Sequence, residues 1–260
     1  MILFKYYFTI FNLIVFSYHL SIFSDDNMKC SVVEEMERHS FQIIHQSFSQ
    51  NPYFGEIQNK FEKILVNIFG KDVFEDFVRN CKSEYSHLVN DLRRKIYLSQ
   101  RNTNVNIHLP SGLLNAVKDV DVKNIRGAIQ QSVFADCISY GNENILRISP
   151  DLFQNLFMDV GANVTNVLQD CLDSSRLSKV GSAIIIVVGK LGRSKILQNA
   201  IKYAFPSNHL VAPEEPHLVV LKGAVIFGQE RNSDKKVCIF HLRKINIYMF
   251  AFTFTSILVI

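Results

Sequence analysis

The stretch that decides the fold is residues 184–194, which reads IIIVVGKLGRS. Five branched aliphatic residues run into a Gly-Lys-Leu-Gly turn, and a helical pattern follows. An unbroken apolar run is typical of a parallel strand buried on both faces. We therefore predict a central strand over residues 182–188, an unusual backbone angle at Gly189, and a helix over residues 191–204. Strands that turn through glycines into helices often bind nucleotides, although the glycine spacing here is not that of a P-loop.

The preceding part of the chain alternates between strand and helix patterns. Residues 31–47 have two apolar runs around a polar centre, which predicts a β-hairpin. Apolar side chains recur at helical spacing over residues 57–69, and further short helices are indicated over residues 73–78 and 85–96. Residues 104–110 alternate with a period of two, which predicts a strand.

Later segments continue this alternation. Ser149 followed by Pro150 is typical of a helix start, and we expect one unbroken helix from there to about Leu172. A short strand over residues 208–211 and a helix over residues 212–228 follow the central strand and its helix. Helices alternating with strands in this order predict an α/β fold.

Composition excludes several classes of function. The chain has 260 residues and a formal net charge of +4, and no basic stripe alternates with aromatic residues, so we predict no nucleic-acid partner. Its five cysteines are widely spaced without a CxxC pair, which argues against both a zinc site and a disulfide framework. No metal ligands and no catalytic residues are predicted.

Both ends of the chain are strongly apolar, over residues 1–23 and 245–260. The first segment resembles a signal peptide or signal anchor, with a single flanking Lys5 but no clear cleavage site. The second is slightly short for a spanning helix and has a basic flank, as a tail anchor would. Both are also rich in the residues that A/T-rich non-coding DNA encodes, so an incorrect gene model stays open beside a membrane or secretory segment. We expect both ends to project from the core.

Four short segments resemble the carboxyl half of the actin-like ATPase domain, in particular the divergent heat shock 70 kDa protein 12 branch of the 70-kDa heat shock family. They are KFEKILVNIFGKDVFEDF at 60–77, LRISPDLFQNLF at 146–157, IIIVVGKLGRSKILQNAIKYAF at 184–205 and LVVLKGAVIFG at 218–228. The resemblance covers residues 30–228, in the family's order. It implies the second lobe of an actin-like (ribonuclease H-like) ATPase domain with a helical subdomain.

The resemblance also implies a division of the chain into domains. We expect the lobe over residues 30–228, with an inserted helical subdomain over about 57–140. A hydrophobic segment precedes it over residues 1–24, and a basic linker with a hydrophobic tail follows over 229–260. The matching segments correspond to the second lobe alone, so we expect a truncated domain without the first lobe.

The sequence departs from the family at each nucleotide contact that the resemblance implies. In place of the glycine-rich second phosphate loop stands SDDNMKC, residues 24–30, whose aspartates would repel phosphate. The family's Glu-x-x-Lys-Arg clasp for the adenosine falls in LRRKIY, residues 92–97, where Arg93 replaces the acid and Ile96 and Tyr97 replace the basic pair. At the closing Gly-Gly turn, Gly189 is retained and Lys190 replaces the second glycine.

The candidate site is therefore the adenosine-side turn, with Gly189, Lys190, Gly192 and Ser194 as the predicted nucleotide-binding residues. No cofactor is expected, and ATP or ADP enters by resemblance only. We expect a degenerate nucleotide-binding lobe that is not an enzyme and has no ATPase activity of its own.

One alternative function stays open: a non-catalytic module that binds a protein partner or regulates a relative of the ATP-binding chaperones. A membrane contact would come only through the termini. The resemblance implies a cytoplasmic location, and genuine terminal segments would instead imply the membrane or the secretory pathway.

Overall fold

The computed structural model describes residues 12–20, 26–36, 40–49, 53–98, 102–119, 125–174, 184–219, 221–222 and 225. The chain divides into two compact units. The five-stranded unit comprises Met1–Asn51, Asn163–Arg193 and Leu197–Ile260, and the helical unit comprises Pro52–Ala162 and Ser194–Ile196. The domain boundaries drawn from the sequence stay predictions.

The five-stranded unit is built on one mixed sheet. Its strands are β1 (Asn12–Leu20), β2 (Asp26–Met36), β3 (Ser40–Ser49), β7 (Ile184–Val188) and β8 (His209–Val211), in the order β3-β2-β1-β7-β8. The first three form an antiparallel meander, which confirms the predicted hairpin, and β7 lies parallel to both β1 and β8. The apolar run at residues 184–188 is therefore an interior parallel strand, as predicted.

The first strand corrects an expectation about the N-terminal segment. The expectation that residues 1–23 project from the core is wrong over Asn12–Leu20, which pairs with β2 on one side and β7 on the other. A strand that has neighbouring strands on both sides and is buried on both faces usually consists of consecutive apolar residues. Composition alone therefore does not separate such a strand from a membrane segment.

One face of this sheet has a small apolar core. Val33, Ile186, Val188 and Val219 are buried together, with Ile43, Ile184 and Val211 partly buried against them. Ile185 and Val187 alternate with these residues along β7 and are also buried, so β7 is covered on both faces. A β-bulge between Val32 and Val33 leaves Ile44 of β3 as an extra, exposed residue.

Three helices open the helical unit: α1 (Tyr53–Phe69), α2 (Lys71–Asn80) and α3 (Lys82–Leu98). The predicted stripe on α1 is confirmed, since Ile57, Phe61, Ile64, Leu65 and Ile68 are all buried. Gly70 ends α1 with a φ of 90°, a left-handed angle that glycine adopts without a Cβ penalty.

A three-stranded antiparallel sheet completes the helical unit, with β4 (Val105–His108), β5 (Ile138–Tyr140) and β6 (Ile145–Ile148) in the order β4-β6-β5. The strand predicted over residues 104–110 is confirmed as β4. Helices α4 (Ser111–Asp119) and α5 (Ile125–Gln131) lie between β4 and β5 in the chain. The sequence patterns did not reveal α4, β5 or β6, each of which has at most nine residues.

The long helix expected after Ser149 is interrupted. Ser149 does cap it, accepting a hydrogen bond from the Leu152 N–H, but α6 (Pro150–Asn155) ends before α7 (Met158–Ser174) begins. The N–H groups of Leu156 and Phe157 donate to carbonyls three residues back, which tightens the chain into a turn. The Phe153 and Phe157 rings pack edge to face across this turn, with centroids 5.6 Å apart.

The helix after the central strand also begins later than predicted. Residues Leu191–Arg193 form a single 3₁₀ turn, and α8 (Lys195–Ala204) starts four residues beyond the expected position. The short strand predicted over residues 208–211 is confirmed as β8. A helix was also predicted over residues 212–228. Its described part includes a helical hydrogen bond from the Lys222 N–H to the Leu218 carbonyl.

The described residues thus form a mixed α/β fold, as predicted. None of the helices within the described ranges has the length and apolar character needed to cross a bilayer. The possible tail anchor at residues 245–260 lies outside the described residues.

Candidate functional site

The parallel pair β1–β7 places the Gly189 turn and the start of β2 toward one edge of the sheet. Ser17 pairs with Val188 at the end of β7, and Gly189 follows directly. Strand β1 continues to Leu20, which pairs with Asp26, the first residue of β2. In α/β sheets, ligands bind outside the carboxyl ends of parallel strands, at the point where the strand order reverses. Gly189 and Asp26, which belongs to the segment that the resemblance places at the phosphate loop, therefore lie toward the edge where a ligand is expected.

Gly189 has the backbone conformation that the sequence predicted. Its φ is 88°, in the left-handed region that favours glycine. Its N–H donates to the Pro216 carbonyl oxygen at 2.7 Å. This bond ties the end of the central strand to the segment after β8, so the turn is held by its own unit.

Gly192 is required by close packing rather than by its backbone angle. A Cβ at this position would lie 3.2 Å from the Val187 carbonyl oxygen, the Val187 Cγ1 and the Pro216 Cβ. The Gly192 carbonyl in turn accepts a hydrogen bond from the Gln198 side chain of α8. The second glycine therefore allows the 3₁₀ turn to lie against β7.

Several backbone donors of this turn are already used within the chain. The N–H of Gly189 bonds to Pro216, that of Gly192 to the Gly189 carbonyl at 3.1 Å, and that of Arg193 to the Lys190 carbonyl at 3.2 Å. A phosphate cradle needs N–H groups that point at the anion. These three N–H groups are directed at carbonyl oxygens instead.

The two predicted side chains of the site differ in exposure. Lys190 is exposed, so its ammonium group lies in solvent. Ser194, which links the 3₁₀ turn to α8 in the sequence, is fully buried. Gly189, Lys190 and Gly192 belong to the five-stranded unit, whereas Ser194 is grouped with the helical unit.

The segment that corresponds to the adenosine clasp lies on α3, in the helical unit. Ile96, at the position of the first basic residue, is 0% exposed in the core of that unit. The guanidinium carbon of Arg93, at the position of the acid, lies 4.1 Å from the centroid of the Phe54 ring, a cation–π contact. Within the described part of the chain, the buried Nε of Arg93 has no hydrogen-bond partner.

Helix α3 is fixed to α1 by a polar network that the sequence patterns did not reveal. The Tyr85 hydroxyl donates to a Glu62 carboxylate oxygen at 2.6 Å, and the Gln58 amide donates to both Glu62 and Tyr85. Partial burial and the bond to Glu62 raise the pKa of Tyr85 to about 12. Tyr85 also contacts Phe74 and Phe77 edge to face. The network thus joins the first turn of α3 to α1.

A second concave surface lies in the helical unit, where a groove of about 770 Å³ runs between α3, β4 and the start of α4. The carboxylates that line this groove already have partners within the chain. Asp91 accepts a hydrogen bond from the His108 N–H and pairs with Arg94, and Glu84 accepts a hydrogen bond from the Gly112 N–H at 2.7 Å. These carboxylates hold elements together. Both carboxylates lie on α3, but the N–H groups that they bind come from β4 and α4, so no local sequence pattern reveals these bonds.

Metal binding gains no support from the described residues. Nowhere among them do three His, Cys, Asp or Glu side chains come together in a way that could hold a metal ion.

Comparison with known proteins identifies relatives of the kind that the sequence indicated. The chain is 27% identical over 175 residues to heat shock 70 kDa protein 12A of Homo sapiens, and equally to that of Mus musculus. It is 27% identical over 173 residues to heat shock 70 kDa protein 12B of Homo sapiens. No protein-family model matches the chain.

The match covers only a part of the length of these relatives. It covers 66% of this chain but 26% of heat shock 70 kDa protein 12A, and 65% of this chain but 25% of heat shock 70 kDa protein 12B. The chain thus matches about a quarter of the length of these proteins. Over some two thirds of its own length it is similar to heat shock 70 kDa proteins 12A and 12B, which confirms the resemblance drawn from its four short segments.

Proposed function

We propose that the chain forms the second lobe of an actin-like ATPase domain whose nucleotide site is degenerate, so that it does not bind or hydrolyse ATP on its own. The similarity to heat shock 70 kDa proteins 12A and 12B supports the assignment to this branch. The mixed sheet, with an antiparallel meander followed by parallel strands β7 and β8, supports the lobe.

The observation that carries the proposal is the burial of Ile96. In the family, as the resemblance implies, a basic side chain at this position reaches the adenosine. Here an aliphatic side chain is 0% exposed in the core of the helical unit. Replacing it by lysine would bury a charge without a partner, which is strongly unfavourable. The burial of Ile96 in the core therefore supports a packing role for this position in place of a role in binding.

The lost contacts are large enough to weaken nucleotide binding strongly. A hydrogen bond to a charged group contributes about 1.5–3 kcal/mol. Loss of both basic positions, now Ile96 and Tyr97, would therefore weaken binding by roughly 10²- to 10⁴-fold. The aspartates of SDDNMKC would weaken phosphate binding further through like-charge repulsion.

The turn after the central strand is consistent with the same proposal. Its N–H groups at Gly189, Gly192 and Arg193 donate to carbonyl oxygens of the chain. A nucleotide would have to break these bonds before it could use the donors. The remaining contribution, a favourable field at the start of α8, is only about 0.3–1 kcal/mol.

The proposal is tested by phosphate release and thermal shift on the full chain with ATP and Mg²⁺. We expect release no faster than in protein-free buffer, and a rise in Tm of less than ~1 °C at about 1 mM ATP. A dissociation constant of about 100 μM would instead stabilise the protein by ~1.4 kcal/mol, or some 3–5 °C. Steady release above the buffer rate, or a shift of that size, would overturn the proposal.

The alternative of a non-catalytic module that binds a protein partner stays a prediction. Size-exclusion chromatography of the purified chain tests whether it associates with itself, since a defined oligomer would favour this alternative. A monomer would leave the degenerate lobe as the simpler account.

A further inference from the structure

The groove between α3, β4 and the start of α4 is separate from the predicted nucleotide contacts. The α3 residues that line it are Glu84, His87, Leu88, Asp91, Arg94 and Lys95. At about 100° per residue, all of them lie within ~60° of Asp91 around the helix axis, whereas Arg93 and Tyr97 lie on the opposite side. The groove is therefore not the part of α3 that corresponds to the adenosine clasp.

The carboxylates of the groove are already used by the chain itself. Asp91 accepts hydrogen bonds from the His108 N–H at 3.3 Å and from the Arg94 side chain at 3.0 Å. Glu84 accepts a hydrogen bond from the Gly112 N–H at 2.7 Å. These bonds leave the two carboxylates with less capacity to bind a cation or a donor group of a ligand.

The hydrogen-bond donors of the groove, in contrast, are left over. Lys95 and the imidazoles of His87 and His108 line it, and none of these side chains has a polar partner among the described residues. The side-chain oxygen of Asn144 accepts from the Tyr140 hydroxyl at 2.8 Å, so the amide nitrogen is the group that Asn144 has left for a ligand. A ligand of this groove must therefore be rich in acceptors.

The groove has the dimensions of a short extended peptide. Its volume is about 770 Å³, and its α3 residues span 84–95, or ~16 Å at a rise of 1.5 Å per residue. An extended chain covers this length with about five residues. His87 and Lys95 are ~12 Å apart along the helix axis, close to the ~13 Å between the first and fifth residues of a strand, whose side chains point the same way. The half-buried Pro110 and Ile145 offer apolar contacts.

We propose that this groove binds an extended acidic segment of a partner protein, with carboxylates at alternate positions and apolar side chains between them. Carboxylates only accept hydrogen bonds, and their bonds to cationic donors are about twice as strong as neutral ones. The Lys95 ammonium group binds the carboxylate at one end of the segment, and the His87 imidazole binds the carboxylate at the other end. Because the groove is separate from the predicted nucleotide contacts, the proposal does not depend on whether the chain binds ATP.

The experiment measures the fluorescence anisotropy of a labelled peptide, Glu-Leu-Glu-Leu-Glu, as the full chain is added at low salt. The matched probe Gln-Leu-Gln-Leu-Gln has the same shape without the charges. We expect the acidic peptide to bind at least about tenfold more tightly than the neutral one. Its binding should weaken strongly in about 1 M NaCl, where the Debye length is only ~3 Å.

Variants of the chain assign this binding to the groove. Lys95→Gln removes the central cation, and we expect it to weaken binding of the acidic peptide about 5- to 20-fold. Asn144→Asp keeps the acceptor for Tyr140 but replaces the free amide by a carboxylate, so it should weaken binding as well. The control Lys63→Gln removes the same charge from an exposed position of α1 outside the groove and should change binding less than about twofold. Thermal melting of each variant checks that it is folded.

The measurement on the unaltered chain decides the matter even if one variant fails to fold. Equal binding of the two peptides, or no binding of either at about 1 mM protein, would show that the groove does not select an acidic segment. Full displacement of the peptide by inorganic phosphate at the same concentration would instead make it a small-anion site. A dimer in size-exclusion chromatography that Lys95→Glu dissociates would assign the groove to a second copy of the chain. Each of these results would overturn the proposal.

Discussion

The turn at residues 189–194 and the segment of α3 at residues 92–97 are the two segments to which the resemblance assigns contacts with the adenosine, and the structure shows them in two different conditions. The turn keeps its backbone: Gly189 has a φ of 88° and Gly192 lies against β7. In the α3 segment, by contrast, Ile96 is buried and the Arg93 guanidinium lies over the Phe54 ring. The difference shows that the turn is defined by its backbone, whereas the α3 segment is defined by how its side chains pack.

The largest effect on stability is expected when a basic residue is placed back at position 96. Ile96→Lys places a charge in a fully buried position, so we expect it to lower the free energy of unfolding by ~4 kcal/mol or more. The matched control Ile96→Val removes one methyl group and should cost only about 0.5–1.5 kcal/mol. Urea denaturation of both variants provides the measurement. An Ile96→Lys protein of native stability that bound ATP would show that the α3 segment is a working clasp.

A smaller loss of stability is expected from a substitution at Gly189. Gly189→Ala forces a Cβ into the left-handed region, and we expect a loss of about 1–2 kcal/mol. Gly141→Ala is the control, because its new Cβ would meet the Arg147 side chain only at ordinary contact distance, 3.4 Å or more. Denaturation midpoints compare the two. Equal effects at both positions would mean that the conformation of Gly189 is not needed by the fold.

The hydrogen bond between Tyr85 of α3 and Glu62 of α1 should contribute about 1 kcal/mol to the free energy of unfolding. Tyr85→Phe removes the hydrogen bond to Glu62 and keeps the ring contacts, so we expect a loss of ~1 kcal/mol at neutral pH.

This network also has a pH signature. The pKa of Tyr85 is raised to about 12 in the folded chain, so its contribution is fully present below pH ~10 and is lost as the pH rises from there toward 12. Stability measured between pH 9 and 11.5 should therefore fall more steeply in the unaltered chain than in Tyr85→Phe. Parallel curves would contradict the role given to this hydroxyl.

The sequence predicted the parts of the fold that have a strong local signal. Residues 184–188 are apolar at every position, and α1 has a full stripe of buried residues, so both were found. Short elements such as β5 and β6 have too few residues for a period to be recognised. Strand β1 was missed for a different reason: its composition is also that of a membrane segment, and only its pairing with β2 and β7 separates the two.

Site prediction from the sequence had a similar limit. The unusual backbone of Gly189 follows from its place after an apolar strand, and the structure has it. The hydrogen bond from Gly189 to Pro216 joins segments on either side of α8 and β8, and no local pattern indicates it.

The most direct test of the central claim is isothermal titration of ATP and Mg²⁺ into the full chain and into its Lys190→Gly variant. Lys190 is exposed, so its removal should change stability by no more than ~0.5 kcal/mol and leave the fold intact. Because the clasp positions on α3 stay occupied by Arg93, Ile96 and Tyr97, restoring the glycine should not restore binding. We predict that neither protein binds with a dissociation constant below about 100 μM. A constant below that value in either protein, equivalent to more than ~5.4 kcal/mol of binding, would show that the nucleotide site is functional and that the account of a degenerate lobe is wrong.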